Sequence, residues 1–436
     1  MKQNHIIMAA CLTVLLAGCG GGGSTPPSSS AQRTQKLLVV RINFTDKTFS
    51  NSAATWAPRI FGTSPGELNN YYAEISNGLF QFVPAAESDG AADGIVTTTV
   101  SMSHPGNDDP ANGDYHMWDV FKTALAQIDN KVDFSSFDTD NNGAISKDEL
   151  QIMFLVSGGE TSTGWPANSS IWALKSCYQA PTTPAAPTHD GKKLMQCAAQ
   201  GNFSRFGEKQ FFSSPADATI GVIAHELGHA VFGLPDLYDA DGTSGGIGNF
   251  GLMGGGSWGK KPGERPGTTP VHMTGWSKIQ AGFATPKLLT NSVPESVTIA
   301  GTDRTDYTLY RVNTPVSGEY FLIENRPPSG YDLGLATLAG TSGGFTGGLS
   351  VMHIDESTSD NTNPVRKRVD IQEAANAELD NPSGHNTGHI NNLYFAGNQD
   401  TLSTADTATY SGTVTGFEII NISAPGGQMT ADIKAQ

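Results

Sequence analysis

Apolar positions follow two regimes along the chain. Between residues 36 and 280, unbroken or alternating apolar runs take turns with helical spacing; beyond Ala284, short alternating runs dominate. Residues 36–44 alternate and then run apolar, which predicts a strand. Leu68–Ile75 has helical spacing and meets a stop at Ser76-Asn77-Gly78. Residues 95–102 are β-branched and predict a strand. From His116 to Ile128 a helix would gather Trp118, Phe121, Leu125 and Ile128 on one face. Residues 150–156 predict a short apolar strand, and the Pro/Thr/Ala stretch 180–188 a surface loop. A helix is expected to start at Ser214, with Pro215 in the first helical position and Asp217 in the first turn. It would run through Ile220, Ile223 and Ala224 to His229 and stop at Gly233, with Pro235 just beyond. A further helix is expected over residues 270–280. After that the runs YTLYRV, EYFLIENR, GGLSVMHID, VTGFEIINI and MTADIK read as strands. The expected class is α+β, with a mixed first part over 35–283 and a β-rich C-terminal domain over 284–436.

Composition narrows this picture. The chain has 436 residues, enough for two or three domains with buried cores. A net charge of -16 argues against nucleic acid or an anionic membrane surface as a partner. Acid-rich loops can instead hold calcium, or simply keep the chain soluble. The N-terminus is basic at Lys2 and apolar from Ile6 to Ala17, too short to span a bilayer as a helix. It ends in Leu16-Ala17-Gly18-Cys19, which resembles the bacterial lipobox. That resemblance implies a signal peptide over 1–19, lipidation of Cys19 and a membrane anchor. Gly20 in place of Asp favours the outer membrane, with the protein facing the periplasm or the cell surface. Residues 20–34 are then a flexible tether. In an exported chain the remaining pair, Cys177 and Cys197, is most simply a disulfide.

The chemistry concentrates at His225-Glu226-Leu227-Gly228-His229. Two histidines four apart on a helix lie about 40° apart around the axis, so both imidazoles can bind one metal. Glu226, beside the first, can reach a water on that metal without being a ligand and serve as general base and acid in acyl transfer. The helix ends in Gly233-Leu234-Pro235-Asp236. The Gly lets the chain turn back so that a third ligand can approach.

HELGHAVFGLPDLYD followed by FGLMGGGSW resembles the immune inhibitor A family of metallopeptidases, within the metzincins. LLVVRINFTD, LNNYYAEISNGLF, VDFSSFDTDNNG, HMTGWSKIQAGF, YFLIENRPPSGYD and GGLSVMHIDE extend the resemblance in family order. It implies a metzincin-like fold, zinc held by His225, His229 and Asp236, Glu226 as general base and acid, and Met253 as the residue of the Met-turn. Proteins or peptides would be the substrates. Two departures stand out. Three residues, not the family's two, separate His229 from Gly233, which leaves Asp239, Asp241 and His272 as other candidates for the third ligand. The tether also leads almost directly into the first strand, where relatives carry a long pro-segment.

The segment 138–149 fits the twelve-residue EF-hand loop at its diagnostic positions. Asp138, Asp140, Asn142, Ser146 and Glu149 would supply side-chain ligands for calcium, Ala144 its carbonyl, and Gly143 the sharp turn. With one loop and a strand-like run behind it, this site reads as structural, not as a sensor. The leading functional expectation is an extracytoplasmic zinc endopeptidase. A catalytically inactive binding lipoprotein and a zinc hydrolase of a non-peptide acyl substrate are the alternatives.

Overall fold

A computed structural model describes residues 32–108, 115–342, 344–376, 379–381 and 387–436. The signal, the lipobox with Cys19 and most of the tether lie outside the described residues. Residues 32–436 form one compact unit.

The first part is built on a sheet that is mostly parallel. Its elements are β1 (Arg33–Asn43), α1 (Ala53–Phe61), α2 (Leu68–Ile75), β2 (Phe80–Pro84), β3 (Ile95–Thr99), α3 (His116–Ile128) and β4 (Gln151–Glu160). β5 (Ser170–Ile171), β6 (Leu174–Ser176), the hairpin strands β7 (Thr188–His189) and β8 (Lys192–Lys193), β9 (Phe203–Gln210), β10 (Ala216–Asp217), α4 (Ile220–Phe232) and α5 (Gly275–Gln280) follow. The main path across the sheet is β10-β9-β4-β1-β2. β1 pairs in parallel with β2, β3 and β4, and β4 in parallel with β9. β6 and β10 run antiparallel to β9.

The unbroken apolar run of β1 follows from this topology, because a central parallel strand is buried on both faces. Leu37 and Val39 face the core that contains Ile223 and Leu227 of α4. Leu38, Val40 and Ile42 face the opposite core, where α3 contributes Phe121, Leu125 and Ile128. β4 alternates in the same way, Met153 and Leu155 to one core, Ile152, Phe154 and Val156 to the other. The second core is closed by Phe121 stacked on Phe154 with ring centroids 4.1 Å apart.

The C-terminal part is strand-rich, as the alternating runs predict. It consists of β11 (Lys287–Leu289), β12 (Glu295–Ala300), β13 (Tyr310–Asn313), β14 (Glu319–Arg326), β15 (Gly348–Asp355), β16 (Val369–Ile371), β17 (Glu418–Ile420) and β18 (Gln428–Lys434). Two sheets form, β11-β13-β14-β15-β16 and β12-β18-β17. Phe321, Ile323 and Val351 of the larger sheet pack on Ile299, Ile419 and Ile433 of the smaller. Its opposite face, through Leu322, Met352 and Ile354, joins the same core as α4. The expected boundary near residue 284 therefore falls within a shared core.

Local expectations need four corrections. β1 starts at Arg33, so the last tether residues are already paired, Arg33 with Phe80 and Thr34 with Gln81. The strand at 95–102 stops at Thr99. The metal-motif helix starts at Ile220, not at Ser214. Ala216 and Asp217 pair with Gln210 and Lys209, and the Asp217 carboxylate is taken by Lys209, Asn51 and Arg59. Tertiary pairing thus overrides a good local helix start. The helix expected over 270–280 begins only at Gly275, where the Thr274 hydroxyl accepts from the Ser277 amide.

Candidate active site

The helix α4 is held from several sides. Val222, Ile223, Ala224, Leu227 and Val231 are buried along it. Its first turn has no side-chain cap, but the Gly221 amide donates to Gly267 O at 3.0 Å. Tyr72 donates to Ala224 O at 2.8 Å, so the YY of α2 anchors the helix midpoint. At the C-terminal end, Asn202 donates to Ala230 O at 2.8 Å and Lys147 Nζ to Val231 O at 3.2 Å. Gly233 closes the helix at φ +69°, a left-handed conformation that costs Gly little.

Past Gly233 the chain folds back. Leu237 donates its amide to Met253 O at 2.8 Å, which ties the Asp236 segment to the Met253 loop. Met253 is fully buried, and its Sδ lies 2.8 Å from where a Cβ on Gly228 would stand. That explains a Gly between two histidines of a helix: the thioether packs against bare backbone. Arg326 of β14, wholly buried, is bidentate to Asp332 and donates to Phe250 O at 2.6 Å. The C-terminal part thereby fixes the loop that carries Met253.

These constraints bring His225, His229 and Asp236 together. Asp236 Oδ1 lies 3.0 Å from His225 Nε2 and 3.1 Å from His229 Nε2. The two Nε2 atoms are 3.1 Å apart. Each ring donates from Nδ1 to a carbonyl, His225 to Leu252 O at 2.9 Å and His229 to Leu234 O at 2.5 Å. Both Nε2 atoms are then acceptors, and they face each other and a carboxylate oxygen. Three acceptors so close repel unless a proton or a cation lies among them; a divalent metal replaces the protons. Metal bonds of about 2.0–2.1 Å in a tetrahedral arrangement put ligand atoms roughly 3.3 Å apart, close to what is seen. The donor set fits a metal ion.

The cluster opens into a cleft of about 330 Å³ lined also by Glu226, Trp172, Lys175 and Tyr238. Burial raises the Glu226 carboxyl above its ordinary value, against the pull of His225 and His229. Burial would also raise Asp236, but the two histidine rings beside it, which attract the carboxylate when they carry a proton, outweigh burial and hold the carboxyl below the usual range. Burial lowers the Lys175 ammonium despite the Glu226 charge. Tyr238 lies over His225 with ring centroids 6.3 Å apart and is 42% exposed to the cleft.

The other candidates for the third ligand lie elsewhere. His272 is buried between Glu74, 2.9 Å from Nε2, and Lys278, 3.1 Å from Nδ1. Asp239 accepts from the Asp241 amide and the Thr243 hydroxyl within its own turn. Trp172, Lys175 and Tyr238 were not singled out in the sequence. The short apolar run IWAL just before Lys175 and Cys177 is the signal that marks strand there.

The acidic loop sits apart from the cleft. Asp138, Asp140 and Glu149 bring carboxylate oxygens within 4.8 Å of one another. Gly143 has φ +85°, and the amides of Asn142 and Gly143 both donate to Asp138 at 3.0 Å. Glu149 folds in, accepting from Thr139 and from the Ser146 amide and hydroxyl. Lys192 Nζ stands 2.6 Å from Asp138 Oδ2, a basic contact that an EF-hand reading did not foresee. Asn142 turns its side-chain oxygen to the Ala144 amide. Cys177 and Cys197 are joined as a disulfide with Cα atoms 5.1 Å apart.

The sequence profile of the immune inhibitor A peptidase M6 catalytic domain matches residues 66–284, half of the chain. The chain belongs to the peptidase M6, immune inhibitor A, family. The matched span contains α4, the turn to Asp236 and the Met253 loop. Immune inhibitor A of Bacillus thuringiensis subsp. alesti is 26% identical over 290 residues, covering 56% of this chain and 39% of that protein. The pre-pro-metalloprotease PrtV of Vibrio cholerae serotype O1 (strain M66-2) is 27% identical over 208 residues, covering 43% of this chain and 21% of that protein. This member of the M6 family thus spans well under half the length of the relatives it matches.

Proposed function

We propose that the chain is an extracytoplasmic, zinc-dependent endopeptidase acting on proteins. What supports this most directly is the convergence of His225, His229 and Asp236 beside Glu226 in an open cleft. Bound by those three residues, zinc would polarise the scissile carbonyl and make a water molecule more acidic. Glu226 takes the proton from the attacking water and passes it to the leaving nitrogen. Its buried, raised carboxyl suits that exchange. The Nδ1 hydrogen bonds of the two histidines keep each Nε2 free for the metal. Met253 serves as the floor of the site.

In the same proposal the fold is metzincin-like. Residues 35–283 form the catalytic part and 284–436 a β-rich part that braces it through Arg326. Cys19, the first residue left after cleavage behind Gly18, carries a lipid anchor, and the protein resides at the outer membrane. Calcium is held by Asp138, Asp140, Asn142, Ser146 and Glu149 with the Ala144 carbonyl; its arrival displaces Lys192 from Asp138.

The test is casein or gelatin hydrolysis by the full chain, with chelator, with chelator followed by zinc, and as Glu226→Ala. Chelation should abolish activity, zinc should restore it, and Glu226→Ala should be inactive while still binding zinc. Equal activity of wild type and Glu226→Ala would remove the site from the mechanism. An inactive wild type that binds zinc would favour a binding lipoprotein.

A further inference from the structure

A second cavity, of about 300 Å³, shares His225, Glu226 and Tyr238 with the cleft. It extends from the reacting centre between Trp172, Trp258 and Val222. Glu160, the last residue of β4, forms part of its wall. No Lys or Arg lines it, whereas Lys175 lines the neighbouring cleft.

Glu160 is 2% exposed and has few partners. Its Oε1 accepts the Ala173 amide at 2.8 Å and a distant Ser162 hydroxyl at 3.5 Å, its Oε2 accepts the Gly207 amide at 3.4 Å, and the Ser162 amide also acts on the carboxylate. These donors are all neutral, and two of the contacts are long, so they solvate the carboxylate without balancing its charge. Arg205, whose charge acts on Glu160, is committed elsewhere: to Asp108, to Trp172 O at 3.0 Å and to Asn107 at 3.4 Å. Among the described residues no Lys or Arg pairs with Glu160. Burial pushes its carboxyl up to about 7, only partly opposed by the Ala173, Gly207 and Ser162 amides and by Arg205. A buried acid without a counter-ion is costly, and an aromatic-walled cavity open to substrate is where a guest can supply one.

Building on the peptidase reading, we propose that this cavity is a specificity pocket for a cationic side chain. Trp172, Trp258 and Tyr238 would sandwich its alkyl stem, and Glu160 would pair with its head group. The substrate class is then polypeptides with Arg or Lys next to the scissile bond. If Glu160 only pins β4 to the Ala173 segment, the pocket is apolar in practice and takes Leu or Phe.

The two outcomes separate in quenched fluorescent peptides that differ only in Arg, Lys, Leu or Phe at the positions flanking the scissile bond. The full chain should cleave the Arg and Lys peptides with kcat/KM roughly tenfold above the Leu peptide, as expected for one charge-assisted contact. In Glu160→Gln the Arg-to-Leu ratio, read within that variant and so insensitive to its folded fraction, should fall towards one. A preference for Leu or Phe in the wild type, or an unchanged ratio in Glu160→Gln, overturns the proposal. If no peptide is cleaved, the peptidase reading fails by itself. The pocket is then read by quenching of tryptophan fluorescence with N-acetylarginine amide and N-acetylleucine amide. Tighter binding of the arginine amide, lost in Glu160→Gln, upholds the proposal, and equal binding overturns it.

Discussion

Replacing Cys177 and Cys197 together by Ser tests how the rim of the cleft is held. The disulfide links positions 20 apart in sequence, beginning one residue beyond β6. In the chain-entropy account, opening a loop of that length costs about 3 kcal/mol, exerted on the unfolded chain. The folded loop keeps other ties. Tyr178 donates to Trp118 O at 2.6 Å, its amide bonds Met195 O at 2.8 Å, and Cys197 donates to Tyr178 O at 3.1 Å. β6 itself is paired with β9 from Leu174 to Ser176. With an unfolding entropy of roughly 2 cal/mol/K per residue over about 400 residues, 3 kcal/mol lowers Tm by about 3–4 °C. The expected result in calorimetry of the zinc-loaded chain is a drop of that size. Peptide hydrolysis at 25 °C should stay within roughly twofold, because the native contacts of β6 survive. An unchanged Tm would refute the loop-entropy argument. Loss of activity at 25 °C in a chain that is still folded would show that the covalent link, not pairing with β9, positions Lys175.

Other substitutions address the metal and the loops. Asp236→Ala should weaken zinc binding by at least about 100-fold, while Asp241→Ala leaves it unchanged in a zinc titration; the reverse ranking would move the third ligand to Asp241. Gly228→Ala places a Cβ 2.8 Å from Met253 Sδ and should cost about 1–3 kcal/mol in urea unfolding, with weaker zinc binding; no change in either would mean that Met253 does not support the helix. Calcium should slow cleavage within 138–149 under limited proteolysis, and equal digestion with and without it would argue against the site. The raised Glu160 carboxyl has a definite sign. Its protonated form stabilises the fold below about pH 4.5, and that contribution is lost as pH rises through about 7. Relative to Glu160→Gln, wild type should therefore lose up to about 3 kcal/mol between pH 4.5 and 8 in urea unfolding; a constant difference would refute a buried acid there.

Elements whose pattern is set by burial were legible in the sequence: α3 from its one-sided apolar face, β1 from its unbroken run, and the strands beyond residue 284 from alternation. The pair His225 and His229 with Glu226 was legible because helix geometry alone makes them neighbours. Which third ligand joins them was legible only through the family resemblance, which pointed to Asp236 and left Asp239, Asp241 and His272 open. Asp236 meets the histidines through the left-handed turn at Gly233 and the Leu237–Met253 hydrogen bond, and the second of these ties the chain to a loop a dozen or more residues away. The start of α4 was misread because pairing with β9 claims Ala216 and Asp217. Glu160, Lys175 and Trp172 lie on β4 and around β6, and only the β4–β9–β6 pairing carries them to the cleft. The buried Arg326–Asp332 pair has no local signature, since its meaning lies in reaching Phe250 O.

Besides the cap at Gly233, the last turn of α4 takes donors from outside the helix, Asn202 and, from the acidic loop, Lys147. Fraying at residues 229–232 is therefore not a private event of the helix. We expect the two segments to open as one unit, because opening of the loop around Lys147 takes a donor from the Val231 carbonyl. Their amides would exchange hydrogen with solvent together, and the unit includes His229. The order of the turn that carries His229 is then coupled to a loop that does not line the cleft.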